Sequence, residues 1–145
     1  MEIYSIGFTK KSASEFFGTL KAHGIERLLD VRLNNTSQLA GFAKQADLAY
    51  FLREICRADY EHEPLLAPTQ EMLDIYKKQK GGWDDYEETF LALIRSRRIE
   101  TAIDKQKFEQ KTALLCSEAT AEHCHRRLVL EHFEKHWEGV EIHHL

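Results

Sequence analysis

The sequence predicts an α/β fold: a three-layer, Rossmann-like domain with a mostly parallel sheet of about five strands and helices on both faces. Three observations carry that expectation. Short apolar runs alternate with longer stretches of helical periodicity, which is the order a parallel sheet needs for its crossovers. The strongest runs are continuously apolar, as in strands covered on both sides, and do not alternate with polar residues. Capping residues stand before the helical stretches and glycine after two of them.

The first run, Ile3-Tyr4-Ser5-Ile6, stops at Gly7 and reads as a buried strand ending in a turn. Ser12 and Glu15 have the spacing of a capping box, and Ala13, Phe16, Phe17 and Leu20 share one helical face up to Gly24. Ile25 to Val31 forms the second strand, with Asp30 and Arg32 at its exit, and the crossover between these strands is expected to be right-handed. A polar loop holds Asn34, Asn35, Thr36 and Ser37. Leu48, Phe51, Leu52, Ile55 and Cys56 then recur at helical spacing, which turns Cys56 toward a core. A short third strand near Tyr60 to His62 precedes Pro64. From Pro68 to about Ile103 the pattern is helical, capped by Thr69, broken at Gly81-Gly82, and striped by Tyr86, Phe90, Leu93 and Ile94. Thr112 to Cys116 is a buried strand, Glu122 to Trp137 a helix and, beyond Gly139, Val140 to Leu145 a last strand.

At 145 residues, 43% hydrophobic and 30% charged, the chain is expected to form one domain over 1-145 that folds without disulfide or metal staples. The start lacks the order of a secretory signal and no run of apolar residues is long enough to cross a bilayer, so a cytoplasmic protein with no membrane partner is expected. Three cysteines without a CxxC pair argue against a disulfide framework or zinc ribbon. The net charge of -4 conceals segregation: residues 1-57 carry +2, 58-94 carry -6, 95-111 carry +3 and 112-145 carry -3. A wholly basic nucleic-acid-binding domain is excluded by that balance, which leaves Arg95, Arg97 and Arg98 as a local cluster.

Open parallel sheets bind ligands beyond the carboxyl ends of their strands. That rule gathers Gly7 and Thr9, Asp30 and Arg32, His62 and Glu63, and Cys116 with Glu118, followed by Glu122-His123-Cys124-His125-Arg126-Arg127 at a helix start. A helix start offers unpaired N-H groups and the positive end of its dipole to an anion. On a helix running from Glu122, Arg126 lies in the middle of the face formed by Val129, Leu130, Phe133 and Trp137, whereas Arg127 lies opposite and can pair with Glu131. Arg126 must then find a carboxylate, Asp30 or Glu118, or a ligand anion. The same projection sets Cys124 about 160° from Arg126, as a packing residue. Cys116 ends a strand facing a helix start, where a thiol is either activated as a nucleophile or merely buried. His132 and His136 have i, i+4 metal spacing but lack a third ligand, so no metal is expected. His143 and His144 alternate across the last strand.

Ile3-Tyr4-Ser5-Ile6-Gly7, then His23-Gly24-Ile25 with Asp30-Val31-Arg32, then Leu114-Leu115-Cys116-Ser117-Glu118 with Cys124-His125-Arg126, together resemble the family catalogued as domain of unknown function 488. The resemblance spans nearly the whole chain and implies a small α/β domain of bacterial or archaeal type without a settled activity. Where that family commonly has histidine after the first glycine this chain has Phe8, and where it often has a loop rich in proline and arginine this chain has Leu33-Asn34-Asn35-Thr36. A looser, architectural similarity is to rhodanese-like domains. Cys116 and Arg126 stand ten residues apart with no intervening glycine, unlike the short anion cradle of those domains.

The expected function is binding of an anionic, phosphate-bearing ligand at the C-terminal edge of the sheet. Gly7, Asp30, Arg32 and Arg126 form the binding set, with Arg126 holding the anion, Arg32 assisting and Asp30 orienting an arginine. A cysteine enzyme is the first alternative, with Cys116 as nucleophile and Glu118 or His125 as acid or base. The others are a nucleic-acid-associated protein using residues 95-111, and an oligomer whose acidic middle region is an interface.

Overall fold

The computed structural model describes residues 1-36, 41-79 and 81-145; Ser37 of the polar loop lies outside them. Five parallel strands, β1 (Glu2–Gly7), β2 (Arg27–Asp30), β3 (Asp59–His62), β4 (Thr112–Cys116) and β5 (Glu141–His144), form one sheet in the order β3-β2-β4-β1-β5. The architecture is thus the expected three-layer α/β fold, with every strand parallel to its neighbours.

Helix α1 (Ala13–Ala22) begins with the reciprocal Ser12/Glu15 capping box and buries Phe16, Phe17 and Leu20. It ends where Gly24 takes the left-handed conformation, φ 67°, that glycine adopts without a Cβ clash. Helix α2 (Gln45–Phe51) runs on through a π turn, Leu52–Cys56, whose wider pitch shifts the phase of the apolar stripe. Leu48 and Leu52 stay buried, Cys56 ends half-buried, and Ile55, expected in the core, is 40% exposed.

The long helical stretch resolves into α3 (Gln70–Leu73), capped by Thr69 and prolonged by a π turn at Asp74–Lys78, then α4 (Trp83–Arg97) and α5 (Ile99–Ala102). Gly82 is the N-cap of α4, so the expected break falls where the new helix starts. The last helix, α6 (His125–His136), starts three residues later than its apolar pattern predicts.

Each face of the sheet carries its own core. Tyr4, Ile6, Leu28, Ala113 and Leu115 pack against α1 and α2, and Ile3, Leu29, Leu114 and Cys116 pack against α4, α5 and α6. β1 and β4 are neighbours, yet the helix after β1 covers one face and the helix after β4 covers the other. A crevice opens between two such strand ends, at the paired residues Gly7 and Cys116. Among the described residues no helix is long and apolar enough to cross a membrane.

Candidate functional site

Cys116 is the last residue of β4, with its sulfur on the α6 side of the sheet. Its side chain meets His125, the first residue of α6, with Sγ 3.6 Å from Nδ1. The far side of the ring is fixed: Nε2 lies 2.8 Å from the Val31 carbonyl, and the ring stands edge-on to Phe90. A nitrogen facing a carbonyl must carry the proton, so Nδ1 is the atom that shares a proton with Cys116.

Cys124 completes the group. With an extended backbone, φ -140° and ψ 138°, it is the N-cap of α6, and its sulfur, that of Cys116 and a His125 nitrogen all lie within 4.8 Å of one another. Cys124 is buried in the core of this face, as expected of a packing residue, but its sulfur turns toward the strand end and not away from the sheet. The helical projection fails because residues 122-124 are not helical, so the angle of about 160° from Arg126 has no meaning there.

The electrostatics of the three groups are consistent. A hydrogen bond from Cys124, then the charge and hydrogen bond of His125 and the charge of Arg126, overcome burial and hold the Cys116 thiol well below its ordinary range. Burial and the neighbouring Cys116 push the Cys124 thiol up. Burial alone would push His125 down, but the charge and hydrogen bond of Cys116 and the Val31 carbonyl prevail and raise it. All three shifts act in the same sense, toward ionisation of Cys116 and protonation of His125, with Cys124 keeping its proton as the donor.

Arg126 is fully buried in the first turn of α6, as its helical position implies. Neither expected carboxylate reaches it. Nε donates to Ser5 Oγ at 3.1 Å, Nη1 donates to the Glu118 main-chain carbonyl at 3.0 Å, and Nη2 has no hydrogen-bond partner among the described residues. Ser5 Oγ is also 2.5 Å from Nδ1 of His144, which burial and the Arg126 charge push down.

Asp30 is committed elsewhere. It accepts from Nε and Nη2 of Arg32 at 2.9 and 2.8 Å, from the Arg32 main-chain N-H at 3.1 Å, and from the Tyr60 hydroxyl at 2.5 Å. Asp30 therefore orients Arg32, whose guanidinium also lies over the Phe8 ring. Arg32 Nη1 has no hydrogen-bond partner among the described residues. Gly7 acts by absence: a Cβ there would overlap the Glu118 carbonyl oxygen and crowd Arg126, so only glycine lets the loop after β4 close over β1. Thr9 ties the same loop through Ser117, His62 bonds the Arg32 carbonyl, and Glu63 caps the turn at Pro64.

A cavity of about 200 Å³ opens above the sulfurs. Cys116, Cys124 and His125 form its floor, Tyr76, Trp83 and Tyr86 an aromatic wall, and Arg32, Lys77 and Glu118 line it on the polar side. His123 stacks on Trp83 at 5.0 Å. The Glu118 carboxylate meets Lys77 at 3.0 Å with both side chains about half exposed, within reach of the cavity opening. Of the residues expected at the site, Arg32, Cys116, Glu118 and His125 line the cavity, while Gly7, Asp30 and Arg126 stand outside its lining. His123 and Cys124, which follow β4 and fall under the strand-end rule, also line the cavity; Tyr86 joins them from the apolar stripe, and Tyr76, Lys77 and Trp83 have no counterpart among the sequence-derived candidates. The one available signal was aromatic density between 76 and 86, because the strand-end rule does not look at the connection preceding a strand.

Other expectations resolve outside the cavity. Arg97 Nη1 donates to the carbonyls of Leu65 and Ala67. His132 bonds Glu100 at 2.7 Å, which supplies beside His136 the third donor that the sequence did not reveal. His143 stacks on Tyr4 at the sheet edge.

Fold and site together define a class: parallel α/β proteins whose cleft lies beyond the strand ends, here floored by two cysteines and a histidine. Within it, the chain belongs to the family described as Domain of unknown function DUF488, whose model matches residues 12–133. The Asp30-Val31-Arg32, Cys116-Ser117-Glu118 and Cys124-His125-Arg126 segments all fall inside that match. No curated protein and no solved structure matches the chain.

Proposed function

We propose that the cavity is the active site of a cysteine-dependent enzyme acting on a small, anionic ligand. One observation carries the reading: the Cys116 sulfur lies 3.6 Å from a His125 nitrogen whose ring is fixed by the Val31 carbonyl, at the start of α6. A nucleophile beside a base that a third group orients is the arrangement that covalent catalysis requires. The Cys116 thiolate attacks an electrophilic centre of the ligand and forms a bond to sulfur. His125 gives its proton to the leaving group, then takes one from the water that cleaves the intermediate. The Glu118 carboxylate, near the cavity opening, is the second acid-base group.

Arg126 acts from behind the site, stabilising the thiolate and holding the Glu118 main chain. Arg32, oriented by Asp30, and Lys77 favour an anionic substituent such as phosphate, while Tyr76, Trp83 and Tyr86 suit a flat apolar part. Thiolate chemistry of this kind belongs in the reducing cytoplasm, where Cys116 and Cys124 stay free.

The test is alkylation by iodoacetamide from pH 5 to 9, with each cysteine followed by peptide mass. Cys116 should react rapidly well below pH 7. Cys56, whose thiol burial pushes up, should react slowly throughout and serves as the internal control. A Cys116 rate that rises only with an ordinary thiol pKa of about 8.5 would overturn the proposal.

A further inference from the structure

We propose that Cys116 and Cys124 form a two-cysteine redox centre in which Cys124 resolves an oxidised Cys116 into a reversible disulfide, with a small hydroperoxide as oxidant. The inference rests on the thiolate reading of Cys116 and gives work to a sulfur that the nucleophilic reaction does not consume.

Two features of the fold carry it. First, the sulfurs share the cavity floor, are 4% and 2% exposed, and lie within 4.8 Å of each other. Closing to the 2.05 Å of a disulfide needs a rotation of Cys124 and a small shift of its backbone. Cys124 can make that movement because it precedes the first turn of α6, and residues 117-124 form no regular element. Second, the pairing is unambiguous. Cys56 packs with the core on the opposite face of the sheet, its sulfur 3.6 Å from the Phe17 carbonyl, and cannot compete.

The chemistry balances. The Cys116 thiolate attacks the terminal oxygen of R-O-O-H, the O-O bond breaks, and the departing alkoxide takes the proton of His125, leaving Cys116 as sulfenic acid. The Cys124 thiol then gives its proton to His125 as its sulfur attacks that of Cys116. The S-O bond breaks, and the hydroxide leaves as water with the proton from His125. Two thiols and one hydroperoxide yield one disulfide, one alcohol and one water. A cavity of about 200 Å³ admits hydrogen peroxide or a short alkyl hydroperoxide and excludes a folded protein.

The test treats the reduced full-length chain with one equivalent of hydrogen peroxide and maps its peptides without reduction. Expected is a Cys116 to Cys124 linked peptide with a mass loss of about 2 Da, reversed by dithiothreitol. Cys56→Ser should behave as the native chain, and Cys124→Ser should stop at a Cys116 sulfenic acid trapped by dimedone. Cys124→Ala is the second variant if the serine chain does not fold. Rapid alkylation of Cys116 together with peroxide products that carry sulfinic Cys116 and free Cys124 would overturn the redox centre alone. One tightly held zinc ion per chain that protects both thiols would overturn it as well. Ordinary alkylation kinetics at Cys116 would bring down the thiolate reading beneath it.

Discussion

Replacing His125 by glutamine isolates the imidazolium from the rest of the site. The glutamine amide can still donate to the Val31 carbonyl, which His125 meets at 2.8 Å, so the start of α6 keeps its anchor while the positive charge beside Cys116 disappears. The hydrogen bond from Cys124, the strongest pull on the Cys116 thiol, and the charge of Arg126 both remain. Against them stands burial, no longer opposed by His125. A thiol that returned fully to a pKa of about 8.5 would be about 3% ionised at pH 7, so the reactive fraction can fall by no more than about thirtyfold unless burial raises the thiol further. Greater basicity makes each remaining thiolate more nucleophilic, with a Brønsted slope of about 0.4 to 0.5, and recovers part of the loss. The expected fall in Cys116 alkylation at pH 7 is therefore roughly tenfold, shrinking to nothing above about pH 9.5. Stopped-flow alkylation with peptide mapping measures it. An unchanged rate at pH 7, or an equal loss at pH 7 and 9.5, would show that His125 does not set the ionisation of Cys116.

Asp30→Ala strands the buried Arg32 and should cost about 3-5 kcal/mol in urea unfolding, while Asp30→Ala combined with Arg32→Met should cost clearly less than the two single changes added together; additive losses would refute the buried pair. Gly7→Ala drives a Cβ into the Glu118 carbonyl and should cost about 1-3 kcal/mol or more, with faster proteolysis in residues 117-124; an alanine chain as stable as the native one would refute the close approach. The carboxyl of Glu100 is held below its usual range, first by its hydrogen bond to His132. A depressed carboxyl stabilises the fold above its unfolded pKa of about 4.3 and loses that contribution as pH falls through the folded value. The urea midpoint of Glu100→Gln should thus trail the native midpoint slightly at pH 6 and converge with it below about pH 3.5, whereas a constant gap would assign the effect to packing.

The fold was legible wherever chain chemistry is local. Ser12 with Glu15 and the apolar run from Thr112 to Cys116 each mark an element because capping and two-sided burial leave a signature within a few residues. The legible part of the site came from topology: a parallel sheet needs no contact information to bring the end of β4 and the start of α6 together. What failed depends on partners distant in sequence or on the exact phase of a helix. Ile55 left the core because a π turn, invisible in the apolar pattern, shifted its phase. Asp30 took Arg32 and Tyr60 in place of Arg126 because those partners are close to it across a loop and the neighbouring strand, whereas Arg126 points to Ser5 on the other face.

Cys124 shows how much a boundary decides. Were residues 122-124 helical, the projection from Arg126 would turn this sulfur away from the sheet, and Cys116 would have a histidine but no second thiol. An extended N-cap reverses that, since it takes Cys124 off the helical spiral and lets its side chain fold back over the strand end. Apolar periodicity cannot detect the difference, because Glu122 and His123 are polar and the buried face of α6 begins only at His125. The late start goes with the loop instead. Glu118 lies over Gly7, where its carbonyl receives Arg126 Nη1, and the six residues after it run through bends and turns up to the first residue of α6. Gly7, a residue that touches neither sulfur, thereby helps to fix where both of them sit.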